Sequence, residues 1–168
     1  MLSDLFPSHD TCGQCAECRL KRSREWAVRC MHEASLHREN CFLTLTYRDD
    51  FRAISLRYKD FQGFLKRLRS RYPNKKILFF ACGEYGETNP VTKVVDGGKY
   101  RAHFHALLFG FNFPDRVPCR LLGGADMYNS AILDATWGFG NCKIGDVTFE
   151  SAAYVARYAM KKVTGAIS

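Results

Sequence analysis

The sequence predicts an α+β protein in which helices pack on a single antiparallel sheet. Segments with helix and strand patterns alternate along the chain, and two of the strands follow each other directly. The connection between those two strands contains glycines, an asparagine and a proline, which favours a hairpin and therefore antiparallel pairing. With 168 residues, 46% of them hydrophobic, the chain has enough apolar content for one packed core.

The first half of the chain contains a helix, a strand and a second helix. Residues 19–38 have a helix-forming composition, with small apolar side chains near one face and basic residues over the rest. Residues 41–47 alternate large apolar residues with threonines, which predicts a strand. Residues 58–72 place aromatic and leucine side chains at helical spacing, and Pro73 follows as a stop signal. Residues 1–18 show no such pattern and are expected to be irregular.

The second half repeats the alternation. It predicts strands at 76–84, 100–109 and 141–149, a hairpin connection at 85–99, and helices at 125–137 and 150–163. Gly138 is the expected end of the first of these two helices. The order of elements is compatible with a ferredoxin-like or RRM-like core.

The net charge of the chain is +8 and it is unevenly distributed. Residues 1–80 carry 16 Lys and Arg against 9 Asp and Glu, whereas the remainder is nearly neutral. A basic half indicates a polyanionic partner such as nucleic acid, the alternative being a soluble basic protein without one. The chain has no apolar run of membrane-spanning length and no signal-peptide pattern at its start. We therefore expect a cytoplasmic protein without a membrane partner, whose eight cysteines are reduced thiols.

His103 and His105 flank Phe104 within a predicted strand, so both imidazoles point to the same face of the sheet. Glu84 ends the preceding strand, and antiparallel pairing would bring its carboxylate beside them. Two histidines and one carboxylate form an open site suited to Mn²⁺ or Mg²⁺. Glu87 is an alternative third ligand. The competing interpretation is a pair of half-buried histidines that only form hydrogen bonds with their neighbours.

Tyr154 and Tyr158 lie four residues apart on the last predicted helix and share one of its faces, with Lys161 and Lys162 after them. A tyrosine can act as a covalent nucleophile when its oxygen meets an electrophile that a metal activates. The alternative is that one of the two tyrosines only packs against the sheet.

Cys12, Cys15 and Cys18 form a CxxCxxC run that could bind zinc. The candidate fourth ligands are His9, Cys30 and His32. The alternative is a turn that packs small thiols beside the basic helix.

Two groups of basic residues are candidate contacts to DNA phosphates, although each residue could equally be part of a solvated helix face. The first group is Arg19, Lys21, Arg22, Arg24 and Arg29, and the second is Lys66, Arg67, Arg69 and Arg71.

Four segments occur in an order that is typical of one family: FLTLTY at 42–47, GEYG at 83–86, HFHALLF at 103–109 and YVARYAMKK at 154–162. In these segments the chain resembles the HUH (His-hydrophobe-His) rolling-circle replication initiators. The closest resemblance is to the initiators of microviruses of gokushovirus type, which are small single-stranded DNA phages. The segment CGQCAECRLKRSREWAVR at 12–29 is similar to the N-terminal signature of those phage proteins.

The resemblance implies a metal-dependent endonuclease that nicks single-stranded DNA at a replication origin and joins strands, initiating rolling-circle replication. Residues 41–168 would form the HUH catalytic core, and residues 1–40 a basic, cysteine-containing N-terminal segment and helix within the same compact domain. Host replication proteins would be further partners.

The resemblance also implies a role for each candidate residue. His103, His105 and Glu84 would bind the metal. Tyr154 and Tyr158 would form 5′-phosphotyrosine bonds, and Tyr158 is expected to act first because Lys161 follows it at the spacing seen after the nucleophile in single-tyrosine relatives.

Two other functions are compatible with the residues. One is a non-catalytic RRM-like module that stacks nucleic-acid bases on Tyr47, Phe79 and Phe104. The other is an HUH enzyme of the relaxase or transposase type, which would share the chemistry but serve plasmid transfer or transposition.

Overall fold

A computed structural model describes residues 12–13, 15–48, 56–85, 102–120 and 126–162. The helices in these ranges are α1 (Ala16–Ser35), α2 (Tyr58–Arg71), α3 (Ala131–Trp137) and α4 (Phe149–Lys162). The strands are β1 (Asn40–Thr46), β2 (Leu78–Tyr85), β3 (Ala102–Phe109), β4 (Val117–Arg120), β5 (Asp126–Asn129) and β6 (Cys142–Gly145). These strands form one sheet in the order β2-β3-β1-β6-β5-β4, and every neighbouring pair is antiparallel. The predicted α+β class with a single antiparallel sheet is confirmed.

The sheet extends further on one side than the sequence patterns predict. The helix predicted over 125–137 is wrong in its first part, because Asp126–Asn129 forms β5 and α3 begins only at Ala131. Ser130 separates the two elements by capping α3, since its hydroxyl accepts a hydrogen bond from the backbone N–H of Leu133. No sequence pattern predicts β4. Both strands are four residues long, too short to show an alternating pattern.

Two smaller differences concern the ends of elements. α1 already begins at Ala16, within the segment expected to be irregular. The strand predicted over 141–149 ends at Gly145, and α4 follows after three residues. Reciprocal hydrogen bonds between Thr148 and Ser151 fix the start of α4 in the manner of a capping box.

One face of the sheet is covered by α2 and α3. Aromatic side chains of α2 such as Phe61 pack against Leu45 of β1 and Phe104 of β3, and Trp137 of α3 completes this core. The burial pattern of β1 alternates strictly, so its apolar residues face this core and its threonines face the other side.

The opposite face of the sheet is covered by α1 and α4. Small residues meet here: Cys30 of α1 and Ala152 of α4 pack with Cys82 of β2 and Leu107 of β3. The same face of β3 carries both histidines, which therefore lie in the layer of α1 and α4. None of the helices in the described ranges is long and apolar enough to cross a membrane.

Candidate active site

The pairing of β2 with β3 brings the predicted metal ligands together. Glu84 lies directly opposite His103 in the hairpin register, and His105 is two residues along the same face of β3. The Oε2 atom of Glu84 is 3.5 Å from the Nε2 atom of each imidazole. Glu87, the alternative third ligand, lies outside the described residues.

His105 is the more enclosed of the two histidines, with 7% of its surface exposed. Its ring stacks on Phe42 with the centroids 5.5 Å apart, and its Nδ1 atom is 3.1 Å from the hydroxyl oxygen of Thr44. Burial, assisted by the nearby His103, lowers the pKa of His105 to about 3. The imidazole is therefore neutral at pH 7 and keeps a lone pair.

That lone pair identifies the site as one that fits a cation. The Nε2 atom of His105 is buried and forms no hydrogen bond, because its contact with Glu84 is too poorly directed to be one. Leaving a buried polar atom unsatisfied costs about 1–3 kcal/mol. The three ligand atoms lie within 4.8 Å of one another, which small shifts would adapt to bonds of about 2.1 Å to one ion. Two imidazoles and a carboxylate suit Mn²⁺ or Mg²⁺, and would leave positions for substrate oxygens.

Tyr154 reaches the same carboxylate from α4. Its hydroxyl donates a hydrogen bond of 2.9 Å to Oε2 of Glu84, and its ring stands at right angles to His105 with the centroids 5.0 Å apart. Burial, the hydrogen bond to Glu84 with the negative charge of that residue, and the neighbouring Tyr158 all raise the pKa of Tyr154. The phenol is thus neutral and its proton points to Glu84.

Tyr158 follows one helical turn later, and its ring centroid is 4.9 Å from that of Tyr154. Both phenols therefore lie in one group beside the histidines. Lys161 belongs to the last turn of the same helix, α4.

Thr44 and Phe42 are parts of the site that the sequence analysis does not single out. The alternation of β1 is the signal that could have found them, since it places them on the face opposite Leu43, the face that carries the histidines.

The two groups of basic residues lie on opposite faces of the sheet. The first group belongs to α1, which shares a layer with α4, and its side chains are exposed or, for Arg19, half-buried. The second group belongs to α2, on the far face. Within it, Arg67 donates hydrogen bonds to the carbonyls of Thr136 and Trp137, and Arg69 donates one to the carbonyl of Ile77. These two arginines therefore have structural partners, and α1 is the better candidate for phosphate contacts near the site.

The three N-terminal cysteines converge just before and within the first turn of α1, with their sulfurs within 4.8 Å of one another. Cys30 and His32 were candidate fourth ligands, and the structure contradicts both. They follow Cys18 by twelve and fourteen residues in one continuous helix, a separation of about 18 Å or more at 1.5 Å per residue. His9 lies outside the described residues.

The proposed base-stacking surface of an RRM-like module is also contradicted. Tyr47 and Phe104 are each only 4% exposed, because they pack against Trp137 beneath α2 and α3. Of the three rings, Phe79 alone is exposed, at 37%. Aromatic rings that helices cover cannot accept bases without unfolding of the core.

Comparisons with known proteins give consistent matches. A family model for replication-associated proteins of the ORF2 type matches residues 40–163. The replication-associated protein VP4 of Bdellovibrio phage phiMH2K is 37% identical over 162 residues, covering 90% of this chain and 48% of the phage protein. The replication-associated protein ORF4 of Chlamydia phage 1 is 37% identical over 161 residues, with coverages of 90% and 38%.

The replication-associated protein ORF2 of Spiroplasma virus 4 is 30% identical over 163 residues, covering 90% of this chain and 48% of the viral protein. The chain thus spans less than half the length of these curated relatives. No solved structure matches it.

Proposed function

The chain belongs to the ORF2 family of replication-associated proteins, and from this premise we propose that it is a metal-dependent endonuclease that nicks and rejoins single-stranded DNA at a phage replication origin. The observation that carries the proposal is the hydrogen bond between the hydroxyl of Tyr154 and Glu84. It joins a nucleophile to a carboxylate that itself lies between two imidazoles. A solvated pair of histidines would not need a phenol aimed at the same oxygen atom.

Each residue has a role that follows from its position. His103, His105 and Glu84 would hold Mn²⁺ or Mg²⁺, which supplies electrophilic activation of the scissile phosphate and stabilises its developing charge. Phe42 and Tyr154 enclose the ring of His105 and keep water away from it. Glu84 accepts the hydrogen bond of the Tyr154 proton and so holds that proton on the side of the phenol that must lose it.

The proposed reaction exchanges one phosphodiester for another. The phenolic oxygen attacks phosphorus, the bond from phosphorus to the 3′-oxygen breaks, and the proton lost by the phenol is balanced by the one gained by the released 3′-hydroxyl. The products are a 5′-phosphotyrosine and a free 3′ end that can prime synthesis. Attack by that or another 3′-hydroxyl on the phosphotyrosine reverses the exchange and joins strands, and no external energy source is required.

The positions of the two tyrosines bear on the order in which they act. The spacing to Lys161 favours Tyr158 as the first nucleophile, whereas the contact with Glu84 favours Tyr154. We propose that Tyr154 attacks first, because its hydroxyl is the one bonded to a metal-ligating group. Tyr158, whose ring packs against it, is within one helical turn and would serve the second transfer.

A covalent adduct is the measurement that tests the proposed function. The protein is incubated with Mn²⁺ and a labelled single strand carrying the origin of the phage that encodes it, and protein–DNA adducts are separated under denaturing conditions. We expect an adduct that EDTA prevents. His103→Ala and His105→Ala should reduce it at least about a hundredfold while leaving binding to the strand within about threefold, because basic side chains supply most of the affinity. Absence of any adduct, with binding intact, would support the non-catalytic module instead.

Mapping the adduct by peptide mass spectrometry distinguishes the tyrosines. We expect the wild-type adduct on Tyr154, and Tyr154→Phe should slow its formation more than Tyr158→Phe does. The double variant should form none. If the adduct lies on Tyr158 and Tyr154→Phe is fully active, the order is reversed; an adduct in the double variant removes both residues from the chemistry.

A further inference from the structure

The N-terminal cysteines form a second group of candidate metal ligands, on a different part of the fold from the histidines. Cys12 lies in the turn before α1, Cys15 is the N-cap of that helix, and Cys18 is in its first turn. The Sγ atoms of Cys12 and Cys18 are 3.9 Å apart. A tetrahedral zinc ion with Zn–S bonds of about 2.3 Å holds its sulfurs about 3.8 Å apart.

The backbone of the turn is arranged to support negative charge on all three sulfurs. The N–H of Cys15 donates to the sulfur of Cys12, at 3.3 Å, and the N–H of Cys18 donates to the sulfur of Cys15, at 3.4 Å. The N–H of Gly13 interacts with the third sulfur, that of Cys18. Gly13 has a φ of 72°, a left-handed conformation that suits glycine and lets the chain turn back to the helix.

We propose that Cys12, Cys15 and Cys18 bind one zinc ion as thiolates, at a structural site separate from the Glu84–His103–His105 centre. Each sulfur already has a backbone donor, and the positive end of the α1 dipole favours the negative charge that thiolates bring. Water or a residue outside the described ranges completes the coordination, since Cys30 and His32 are too far along α1.

A proton balance accompanies the binding. Without an ion, the hydrogen bond with Cys15 and the proximity of Cys12 raise the pKa of the Cys18 thiol, although the N–H of Gly13 opposes this. The Cys18 thiol is therefore protonated at pH 7. Binding of zinc as a thiolate complex releases protons to the solvent, so the apparent affinity rises with pH.

The spacing of the sulfurs favours a single ion over an iron–sulfur cluster. Three cysteines in a CxxCxxC run also occur in ferredoxins, where each thiolate binds a different iron atom. Such a cluster separates its ligand sulfurs more widely than one ion does, and 3.9 Å matches the single ion.

The site would fix the N-terminal end of α1. Arg22 approaches the turn, with its guanidinium within 3.4 Å of where a side chain on Gly13 would begin. An ordered turn would thus hold the basic face of α1 in place, and α1 packs on α4, which carries the tyrosines. Zinc would bind here whether or not the chain nicks DNA, because the two groups of ligands share no residue.

Cobalt substitution tests this site through a signature that the histidine centre cannot give. The whole chain, reduced and free of metal, is titrated with Co²⁺ without oxygen, and thiolate-to-cobalt charge-transfer absorption is recorded. We expect one equivalent of Co²⁺ to develop this absorption and Zn²⁺ to abolish it. The triple variant Cys12→Ser, Cys15→Ser, Cys18→Ser should lose it completely. Cys119→Ser, a half-exposed cysteine on β4, and the double variant His103→Ala, His105→Ala should keep it.

A second measurement needs no variant. Zn²⁺ should protect Cys12, Cys15 and Cys18 of the wild-type chain from alkylation at least about tenfold, as counted by peptide mass spectrometry, and leave Cys119 unprotected. Absence of thiolate absorption in the wild type, its survival in the triple variant, or equal alkylation with and without Zn²⁺ would overturn the proposal. An iron–sulfur chromophore in protein from iron-supplemented cells would replace zinc with a cluster and equally overturn it.

Discussion

Thr44 determines which nitrogen of His105 faces the candidate metal centre. Its hydroxyl is 3.1 Å from Nδ1, so a proton on Nδ1 can be donated to Thr44 while Nε2 keeps its lone pair for an ion. The pairing of Thr44 with His105 in the β1–β3 register keeps this contact in place. Thr44 is thus a positioning residue, which acts on the metal through His105.

Replacing Thr44 by valine keeps the shape of the side chain and removes the hydroxyl. Loss of such a partner of a ligating histidine typically weakens metal affinity about 10–100-fold. We therefore expect Thr44→Val to raise the Mn²⁺ concentration needed for half-maximal adduct formation by that factor, with activity recovering at high Mn²⁺. Thr44→Ser keeps the hydroxyl and should retain the wild-type dependence. An unchanged Mn²⁺ titration for Thr44→Val would show that the contact is incidental.

At the scale of elements, the loop between α3 and β6 is locked against the end of β1. Backbone hydrogen bonds join Thr46 to Asn141 and Arg48 to Phe139, and the indole of Trp137 donates to the carbonyl of Thr46. Gly140 lies so close to this strand that a Cβ atom would overlap the carbonyl oxygen of Thr46. The loop can pack there only because the residue is glycine.

Gly140→Ala should therefore lower the free energy of unfolding by about 1–3 kcal/mol, the range for overpacking of rigid backbone. The matched control is Gly63→Ala on α2, where the added methyl group meets only the end of the Arg67 side chain. There the gain in helix propensity of up to about 1 kcal/mol should leave stability equal or higher. Urea unfolding of both variants measures the difference. Equal midpoints would mean that the loop moves away from β1 at little cost.

The elements near the candidate site are the ones that sequence patterns predict well. β1, β2 and β3 are seven or eight residues long, and hairpin pairing alone sets Glu84 beside the histidines. Two features depend on more than local pattern. β4 and β5 are short strands that acquire their conformation from each other, so Asp126–Asn129 has no signal of its own. The contact of Tyr154 with Glu84 depends on how α4 crosses the sheet, which only tertiary packing decides.

Across the whole molecule, the two faces of the sheet divide the basic residues between one layer that contains the candidate site and one that does not. The α1 group shares its layer with the tyrosines, whereas Lys66 and Arg71 of α2 belong to the other layer. If DNA lies along the layer of α1 and α4, only the first group neutralises phosphates.

This division predicts different salt dependences for two sets of charge-removing variants. Changing Arg19, Lys21, Arg22, Arg24 and Arg29 to glutamine should lower the slope of log affinity for a single strand against log salt by about 0.7 for each phosphate that is no longer neutralised. Lys66→Gln with Arg71→Gln removes charge from the far face and should leave the slope nearly unchanged. Binding titrations over a range of NaCl concentrations measure both. Equal reductions of the slope in the two sets would place DNA on neither face in particular.

The central position of β1 has a consequence for how the protein loses activity on heating. β1 is bonded to β3 along its whole length and to β6 over four residues, whereas β5 touches β6 through one residue pair. A sub-global opening that detaches β4 and β5 breaks few bonds and leaves every group of the candidate site, on β1, β2, β3 and α4, in place. Separation of β1 from β3 removes Thr44 from His105 and divides the core at the same moment. Thermal inactivation should therefore lag behind loosening of the distal edge and coincide with collapse of the β1–β3 pair.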